Sequence, residues 1–190
     1  MLPLVLASAS PRRRDLMMDA GYLFSVAAAG VNEDSAETPE SLPALTEANA
    51  ALKARWVAER RPGTIAIGAD TLVYLDGRAL GKPRDLPEAT AMLARLNGRT
   101  HQVCTGVCLA SRDPDRDQRF HVISEVTFRK LSPDAIAAYL QLIDPLDKAG
   151  AYAAQDHGDL IIDRVEGSWT NVVGLPMDEL ASALETLARS

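Results

Sequence analysis

The chain has 190 residues, of which 47% are hydrophobic and 24% charged, and its formal net charge is −6 at pH 7. This length predicts one domain over residues 1–190, built as one body or as two lobes around a central cleft. The acidic balance argues against general nucleic-acid binding, and no apolar run approaches the roughly 18 residues of a membrane span. The N-terminus also lacks the features of a signal peptide. We therefore expect a cytoplasmic protein that binds neither nucleic acid nor membrane.

The first stretch of the chain predicts a strand, a short loop and a helix. Residues 4–6 are apolar, as in a buried strand. Ser10 suits the N-cap of a helix over residues 12–20, and Pro11 suits its first turn. Gly21 suits the left-handed position just past the helix end.

The charge of this first helical turn indicates an anion site. Arg12, Arg13 and Arg14 lie where the helix dipole disfavours cations. Guanidinium groups beside free backbone N–H groups and the hydroxyls of Ser8 and Ser10 are typical of a phosphate-binding turn. Three solvated arginines are the alternative. No GxxxxGK[ST] motif occurs, so the turn is not a Walker-type loop.

A second strand is predicted over residues 22–29, followed by an acidic loop over 30–42. Glu33 lies at the start of that loop, where a solvated carboxylate is the simplest interpretation. A helix over residues 43–60 is predicted to turn one apolar face inward, formed by Leu45, Ala48, Leu52, Trp56 and Val57. Lys53 falls on a different face, where an unpaired surface lysine is the simplest interpretation.

Asp70 is the residue that most strongly suggests chemistry. It lies in an apolar strand over residues 64–75, predicted to be interrupted at 68–71 and to end in an Asp76-Gly77 turn. A carboxylate there is costly to bury without a partner, which favours a metal ligand or general base over a structural bulge or cap. Lys82 lies between a glycine and a proline, which would hold its ammonium group in place for binding. The alternative is a lysine in an ordinary surface turn.

The rest of the chain completes an α/β pattern. Helices are predicted over residues 86–96, 133–143 and 177–189, a hairpin over 100–111 and 118–130, and a last strand over 160–165. Early alternation with a central hairpin predicts a mixed, twisted sheet flanked by helices. Cys104 and Cys108 are interpreted as core residues, and His101 and His121 as structural histidines.

A polar loop over residues 144–158 carries residue types that often bind ligands, Asp147, Lys148, Tyr152 and Gln155. Gln155 has both a donor and an acceptor with which to recognise the edge of a base. Cationic groups for a polyphosphate, carboxylates for Mg²⁺ and a general base together indicate a Mg²⁺-dependent phosphoanhydride hydrolase acting on a nucleotide.

Five blocks, in order along the chain, resemble the Maf family of nucleoside triphosphate pyrophosphatases. They are LASASPRRRDLM, GADTLVYLDGRALGKPRD, GRTHQVCTGVCL, DPLDKAGAYAAQ and NVVGLP. The resemblance implies hydrolysis of a nucleoside triphosphate to the monophosphate and pyrophosphate, a divalent metal (Mg²⁺ or Mn²⁺), and a fold akin to that of the inosine triphosphate pyrophosphatases, also called HAM1-like. A homodimer is the assembly that family analogy suggests.

The resemblance also implies roles for individual residues. Asp70 resembles the proton acceptor, with Lys82 and Glu33 as further catalytic groups and with Glu33 and Asp70 as metal ligands. The residues that resemble substrate-binding positions are Ser8, Ser10, Arg12, Arg13, Lys53, Thr71 and Gln155.

Within this set, Arg12, Thr71 and Gln155 resemble the positions that set base choice, and they resemble the branch acting on dTTP and UTP. Asp156 departs from the family pattern, which commonly has glycine there. Two alternatives stay open: the same reaction on 7-methyl-GTP or other modified nucleotides, and a nucleotide-sensing protein linked to cell division with little turnover.

Overall fold

The computed structural model describes residues 2–33 and 41–189, in which strands and helices alternate along the first half of the chain. The strands are β1 (Leu4–Leu6), β2 (Phe24–Val26), β3 (Ile65–Leu75), β4 (Arg78–Leu80), β5 (Thr100–Arg112), β6 (Asp115–Phe128) and β7 (Ile162–Glu166). The α-helices are α1 (Pro11–Asp19), α2 (Leu42–Arg60), α3 (Leu86–Leu96), α4 (Pro133–Leu140), α5 (Trp169–Val173) and α6 (Met177–Arg189). Short 3₁₀ turns lie at Pro145–Asp147, Ala149–Ala151 and Gly158–Leu160.

These strands form a seven-stranded sheet in the order β2-β1-β3-β5-β6-β7, with β4 paired to β3 outside that path. β1 pairs in parallel with β2 and β3, whereas β3–β5, β5–β6, β6–β7 and β3–β4 are antiparallel. The predicted α/β class, with a mixed sheet flanked by helices, is therefore confirmed.

β3 changes its neighbour halfway along its length. Residues 65–67 pair with β1 and residues 73–75 with β4, while β5 runs along the other side of residues 66–74. Within the described residues, positions 68–72 thus have a strand on one side only. Ligands of α/β sheets bind in crevices of this kind, outside the end of one strand and beside the next.

Two glycines let α2 lie very close to the sheet. A Cβ added at Gly68 would lie 2.1 Å from the backbone oxygen of Ala50, and one at Gly106 would lie 2.3 Å from the backbone carbon of Thr46. Neither position leaves room for a side chain. The helix therefore packs its backbone, rather than long side chains, against β3 and β5.

The predicted inward face of α2 is only partly correct: Val57 is buried and Trp56 packs against the core, but two of the five predicted residues do not face it. Leu52 is 42% exposed and Ala48 is also exposed, while Ala50 and Ala54 are fully buried. The prediction failed at Leu52 and Ala48 because it assumed that the larger apolar side chains would define the inward face. A helix seated on glycines buries its small residues instead.

Several local predictions differ from the structure in detail. β3 is continuous, so the predicted interruption at 68–71 is wrong; Asp70 has partners and needs no bulge. The strand predicted over 22–29 is confined to Phe24–Val26. The turn after β3 is confirmed, with positive φ at Asp76 (52°) and Gly77 (76°), as a two-residue hairpin requires. Residues 34–40 of the predicted acidic loop lie outside the described residues.

The apolar core lies on both faces of the sheet. Alanines of α2 pack on one face with Cys108, which together with Cys104 is a buried free thiol, as predicted. On the other face, β3 packs against α6 near one end and against α3 and α4 near the other. In the described part of the chain, we find no helix with the length and apolar character needed to cross a membrane.

Candidate active site

A cavity of about 670 Å³ opens at the crevice beside β3. Its walls come from the β1–α1 loop, the start of α1, the inner face of α2, the middle of β3, the segment after β4, and the loop around residues 147–154. The cavity therefore collects most of the residues that the sequence had singled out, although they are widely separated along the chain.

A buried charged cluster surrounds Asp70 on the α2 side. Lys53 donates from Nζ to Asp70 Oδ1 at 2.9 Å, and Asn49 donates from Nδ2 to Asp70 Oδ2 at 3.0 Å. Lys53 also pairs with Glu33 Oε2 at 2.8 Å. Asp70, Lys53 and Asn49 are 6%, 8% and 3% exposed. The interpretation of Lys53 as an unpaired surface lysine is therefore wrong.

The close packing of α2 on β3 and β5 explains how this cluster forms. Asn49 and Lys53 are four residues apart, so they share one face of the helix. Asp70 and Gly68 are two residues apart, so they share one face of β3. Because Gly68 and Gly106 admit the helix backbone, both α2 side chains reach the carboxylate directly.

Electrostatics keep Asp70 ionised despite its burial. Loss of solvation is the largest influence and raises the pKa of Asp70, but the charge of Lys53 and the hydrogen bonds that Asn49 and Lys53 donate outweigh it. The pKa of Asp70 thus lies below its ordinary value. At neutral pH this group is a carboxylate able to accept a proton.

The opposite face of β3 holds Arg13. Its guanidinium donates to the Gly174 carbonyl oxygen (2.7 Å), to Ser8 Oγ (3.2 Å) and to Thr71 Oγ1 (3.0 Å). Burial lowers the pKa of Arg13, but a guanidinium stays charged at neutral pH.

Ser10 occupies the N-cap of α1, as predicted, but its side chain makes no capping hydrogen bond. Its backbone N–H instead donates to Ser8 Oγ at 3.2 Å.

Arg12 is held by the loop that follows α4. It donates from Nη1 to Asp147 Oδ2 at 3.2 Å, and Lys148 donates from Nζ to Asp147 Oδ1 at 2.6 Å. Lys148 is itself buried and also donates to the Asp144 carbonyl oxygen at 2.7 Å. All three side chains line the cavity, so this loop is part of the site.

The remaining predicted site residues are less enclosed. Lys82 is exposed and lines the cavity, next to Gly81, whose carbonyl accepts the N–H of Gly150 at 3.0 Å. Gln155 is exposed and lies directly after Ala154, the last of the buried lining residues in this loop. Its role in base recognition stays a prediction.

Two carboxylates in the described residues are suited to a divalent metal. No group of three His, Cys, Asp or Glu side chains forms a ready-made metal site in residues 2–33 and 41–189. Asp70 and Glu33, however, converge on the same Lys53 ammonium. Mg²⁺ is commonly held by one or two carboxylates, with substrate phosphates and waters completing its shell. This donor set fits a metal that is shared with a bound polyphosphate.

The two predicted structural histidines do not line the cavity. His101 is buried beneath Tyr152, with 3.0 Å between its Nε2 and the tyrosine hydroxyl, and burial lowers the pKa of His101 to about 4. His121 lies on β6, where its Nδ1 is 2.6 Å from Glu47 Oε1. Tyr152 does line the cavity, so His101 packs against a lining residue on the side away from the cavity.

The sequence interpretation missed Asn49 and Thr105. Asn49 could have been found from its i, i+4 spacing to Lys53, once that face of α2 was known to be buried. Thr105 lies beside Thr71 in the β3–β5 pairing, and the two hydroxyl oxygens are 2.9 Å apart. No local pattern in the sequence marks Thr105 as different from any strand threonine.

Comparison with known proteins places the chain in a family. The family described as Maf-like protein matches residues 3–187. The dTTP/UTP pyrophosphatase of Akkermansia muciniphila is 46% identical over 188 residues, covering 97% of this chain and 96% of that protein. The dTTP/UTP pyrophosphatase of Myxococcus xanthus is 48% identical over 182 residues, covering 96% of this chain and 91% of that protein.

A solved structure supports the same fold. The Staphylococcus aureus Ham1 protein superposes with a TM-score of 0.54 at 16% identity, covering 97% of this chain and 98% of the other. The fold expected from the resemblance is thereby confirmed. From the full-length family match and these relatives, the chain belongs to the Maf family.

Proposed function

We propose that this protein hydrolyses dTTP and UTP to the nucleoside monophosphate and pyrophosphate. The observation that carries the proposal is the buried, ionised Asp70 on the wall of a cavity that also presents Arg12, Arg13, Lys53 and Lys82. The names of its full-length relatives support this reaction and these two substrates.

In the proposed reaction, a water molecule attacks the α-phosphorus of the bound nucleotide. Asp70 accepts a proton from this water as the new P–O bond forms. The bond between the α-phosphorus and the bridging oxygen to the β-phosphorus breaks, and pyrophosphate leaves with the bonding electron pair. A correctly placed general base of this kind contributes about 10²–10⁴ in rate.

The cationic residues stabilise charge on the triphosphate. Lys53 orients Asp70 through their 2.9 Å contact, and Lys82 lines the same cavity. Arg12 and Arg13 start the helix whose N-terminal N–H groups attract anions. Because Arg12 and Arg13 hold the phosphates of the bound nucleotide both before and during the reaction, we assign them to substrate affinity rather than to kcat.

We assign Glu33 and Asp70 to a divalent metal, Mg²⁺ or Mn²⁺, which supplies further charge neutralisation on the phosphates when bound. Thr71, together with Arg12 and Gln155, is proposed to select the base. Since nucleoside triphosphates are made and used in the cytoplasm, we also propose a cytoplasmic location.

The substrate assignment is tested by pyrophosphate release from dTTP, UTP, CTP, 7-methyl-GTP and ITP, with Mg²⁺, with Mn²⁺ and with EDTA. We expect metal-dependent cleavage that is fastest on dTTP and UTP. Fastest cleavage of 7-methyl-GTP would keep the reaction and overturn the base assignment. No cleavage of any nucleotide would favour the nucleotide-sensing alternative.

The role of Asp70 is tested by Asp70→Asn. We expect kcat to fall by about 10³, because the amide cannot accept the proton, while a dTTP analogue with an imido group between the α- and β-phosphates still binds. Asp76→Asn is the matched control, since Asp76 is an exposed carboxylate at the end of the same strand. Loss of analogue binding with an unchanged kcat would contradict the proposed role.

A further inference from the structure

The hydrogen bonds around Arg13 have a fixed direction. The guanidinium can only donate, so Thr71 Oγ1 accepts from Arg13 Nη2 at 3.0 Å. The hydroxyl oxygens of Thr71 and Thr105 are 2.9 Å apart, and that distance alone does not show which hydroxyl is the donor. The contact between Thr105 and Asn171 identifies the donor.

Thr105 donates its single hydroxyl proton to the Asn171 carbonyl oxygen at 3.0 Å. A carbonyl can only accept, so this proton is committed and Thr105 must accept from Thr71. The chain of donors therefore runs from Arg13 to Thr71, then to Thr105, and ends at the Asn171 carbonyl. Each hydroxyl in it donates once and accepts once.

Thr105 consequently acts on two of the three acceptors that hold Arg13. Its oxygen accepts a hydrogen bond from the Thr71 hydroxyl, so a lone pair of Thr71 Oγ1 faces the guanidinium. Thr105 also donates to the Asn171 carbonyl oxygen and so fixes the backbone three residues before Gly174. The Gly174 carbonyl oxygen accepts from Arg13 Nε at 2.7 Å. Thr105 is fully buried and is not among the residues that line the cavity, so it does not reach a ligand there itself.

We propose that Thr105 is a positioning residue for triphosphate binding: its hydroxyl fixes the Arg13 guanidinium at the cavity wall through Thr71 and through the 171–174 segment. Three of the five N–H groups of Arg13 are used by protein acceptors, which leaves two for a ligand, counted over the described part of the chain. The inference rests on the proposed function for the identity of the ligand.

The test compares Thr105→Val, which removes the hydroxyl at nearly constant size, with Thr105→Ser, which keeps it. Thr46→Val is the matched control, because Thr46 is an equally buried threonine that bonds to α2 backbone and Cys104 rather than toward Arg13. Affinity for α,β-imido-dTTP is measured by calorimetry, together with kcat and KM for dTTP and the melting temperature of each variant.

We expect Thr105→Val to bind the analogue about tenfold more weakly and to raise KM by a similar factor, because the hold on a charged donor is loosened. Its kcat should stay within about twofold, since the Asp70 cluster lies on the other face of β3. Thr105→Ser and Thr46→Val should bind within about twofold of the parent protein. If Thr105→Val does not fold, Thr105→Cys replaces it with the same expectation.

Three results would overturn the inference: unchanged analogue affinity in Thr105→Val, equal weakening in Thr105→Ser, or a loss of kcat without a loss of affinity. Failure of the proposed function would look different. In that case the parent protein would release no pyrophosphate from any nucleotide, while the affinity comparison among the Thr105 variants would still decide the role of Thr105.

Discussion

Asp70 and Thr71 are neighbours in β3, yet they belong to two chemically distinct regions. Asp70 faces α2 and meets a lysine, an amide and, through that lysine, a second carboxylate. Thr71 faces the other side and belongs to a network of neutral acceptors around Arg13. Because side chains of a strand alternate between faces, β3 separates the proposed proton acceptor, Asp70, from the proposed anion-binding group, Arg13. The comparison teaches that catalysis and binding should be separable by mutation.

The largest expected effect comes from removing the support of the Asp70 region. In Gly68→Ala the new Cβ would lie 2.1 Å from the Ala50 backbone oxygen, so α2 must move away from the sheet. We expect a loss of about 3 kcal/mol in the free energy of unfolding, measured by urea denaturation, and loss of pyrophosphate release. Gly30→Ala is the control, since its nearest neighbour is a Trp56 ring atom at 3.7 Å. Equal stability of the two variants would show that α2 does not depend on this contact.

A smaller effect is expected from replacing Asn49, the amide beside Asp70, and it tests whether catalysis can be impaired without a loss of substrate binding. Asn49→Leu removes the 3.0 Å hydrogen bond to Asp70 and preserves the approximate size of the side chain. We expect kcat for dTTP to fall about tenfold, because a hydrogen bond to a charged group is lost, with KM changed by less than about threefold. This is the reverse of the pattern expected for Thr105→Val. Asn49→Asp, which has no N–H and adds a negative charge beside Asp70, should lose more; a raised KM with normal kcat in Asn49→Leu would contradict the assignment.

The smallest effect concerns a third buried group, His101, which has no charged partner among the residues that the structure describes. Burial alone lowers the pKa of His101 from 6.5 to about 4. Between these values the unfolded chain binds a proton that the native protein does not, so stability present above pH 6.5 is lost as the pH falls toward 4. From pH 7 to pH 5.5 the contribution lost is about 1 kcal/mol.

His101→Gln should remove this part of the pH dependence, measured as urea-unfolding free energies at both pH values. His157→Asn is the control, because His157 is an exposed histidine at a positive φ of 58°, a conformation that asparagine tolerates. An identical pH dependence in the parent protein and in His101→Gln would show that His101 does not titrate between the native and unfolded states in this range.

Much of the local structure could be predicted from the sequence. The β1–α1 turn, the Asp76-Gly77 hairpin and α6 all carry strong local signals, namely an apolar run before Ser-Pro, a turn dipeptide and a clear amphipathic period. The β1–α1 turn and the block of residues around Asp70 also carried the family resemblance. These features are encoded by residues close together in the chain, so no distant contact was needed to recognise them.

The partners within the site were decided by the tertiary structure. Lys53 and Asn49 lie 17 and 21 residues from Asp70, and Arg13 lies 58 residues from Thr71. Hydrophobic periodicity correctly buried Val57 but missed most of the buried face of α2, which consists mainly of alanines and of the polar residues Asn49 and Lys53. The sequence alone determined which residue types were present and approximately where most strands and helices lie. Only the packing of α2 onto Gly68 and Gly106 decided which charged groups met, because burial and pairing depend on distances between segments that are far apart in the chain.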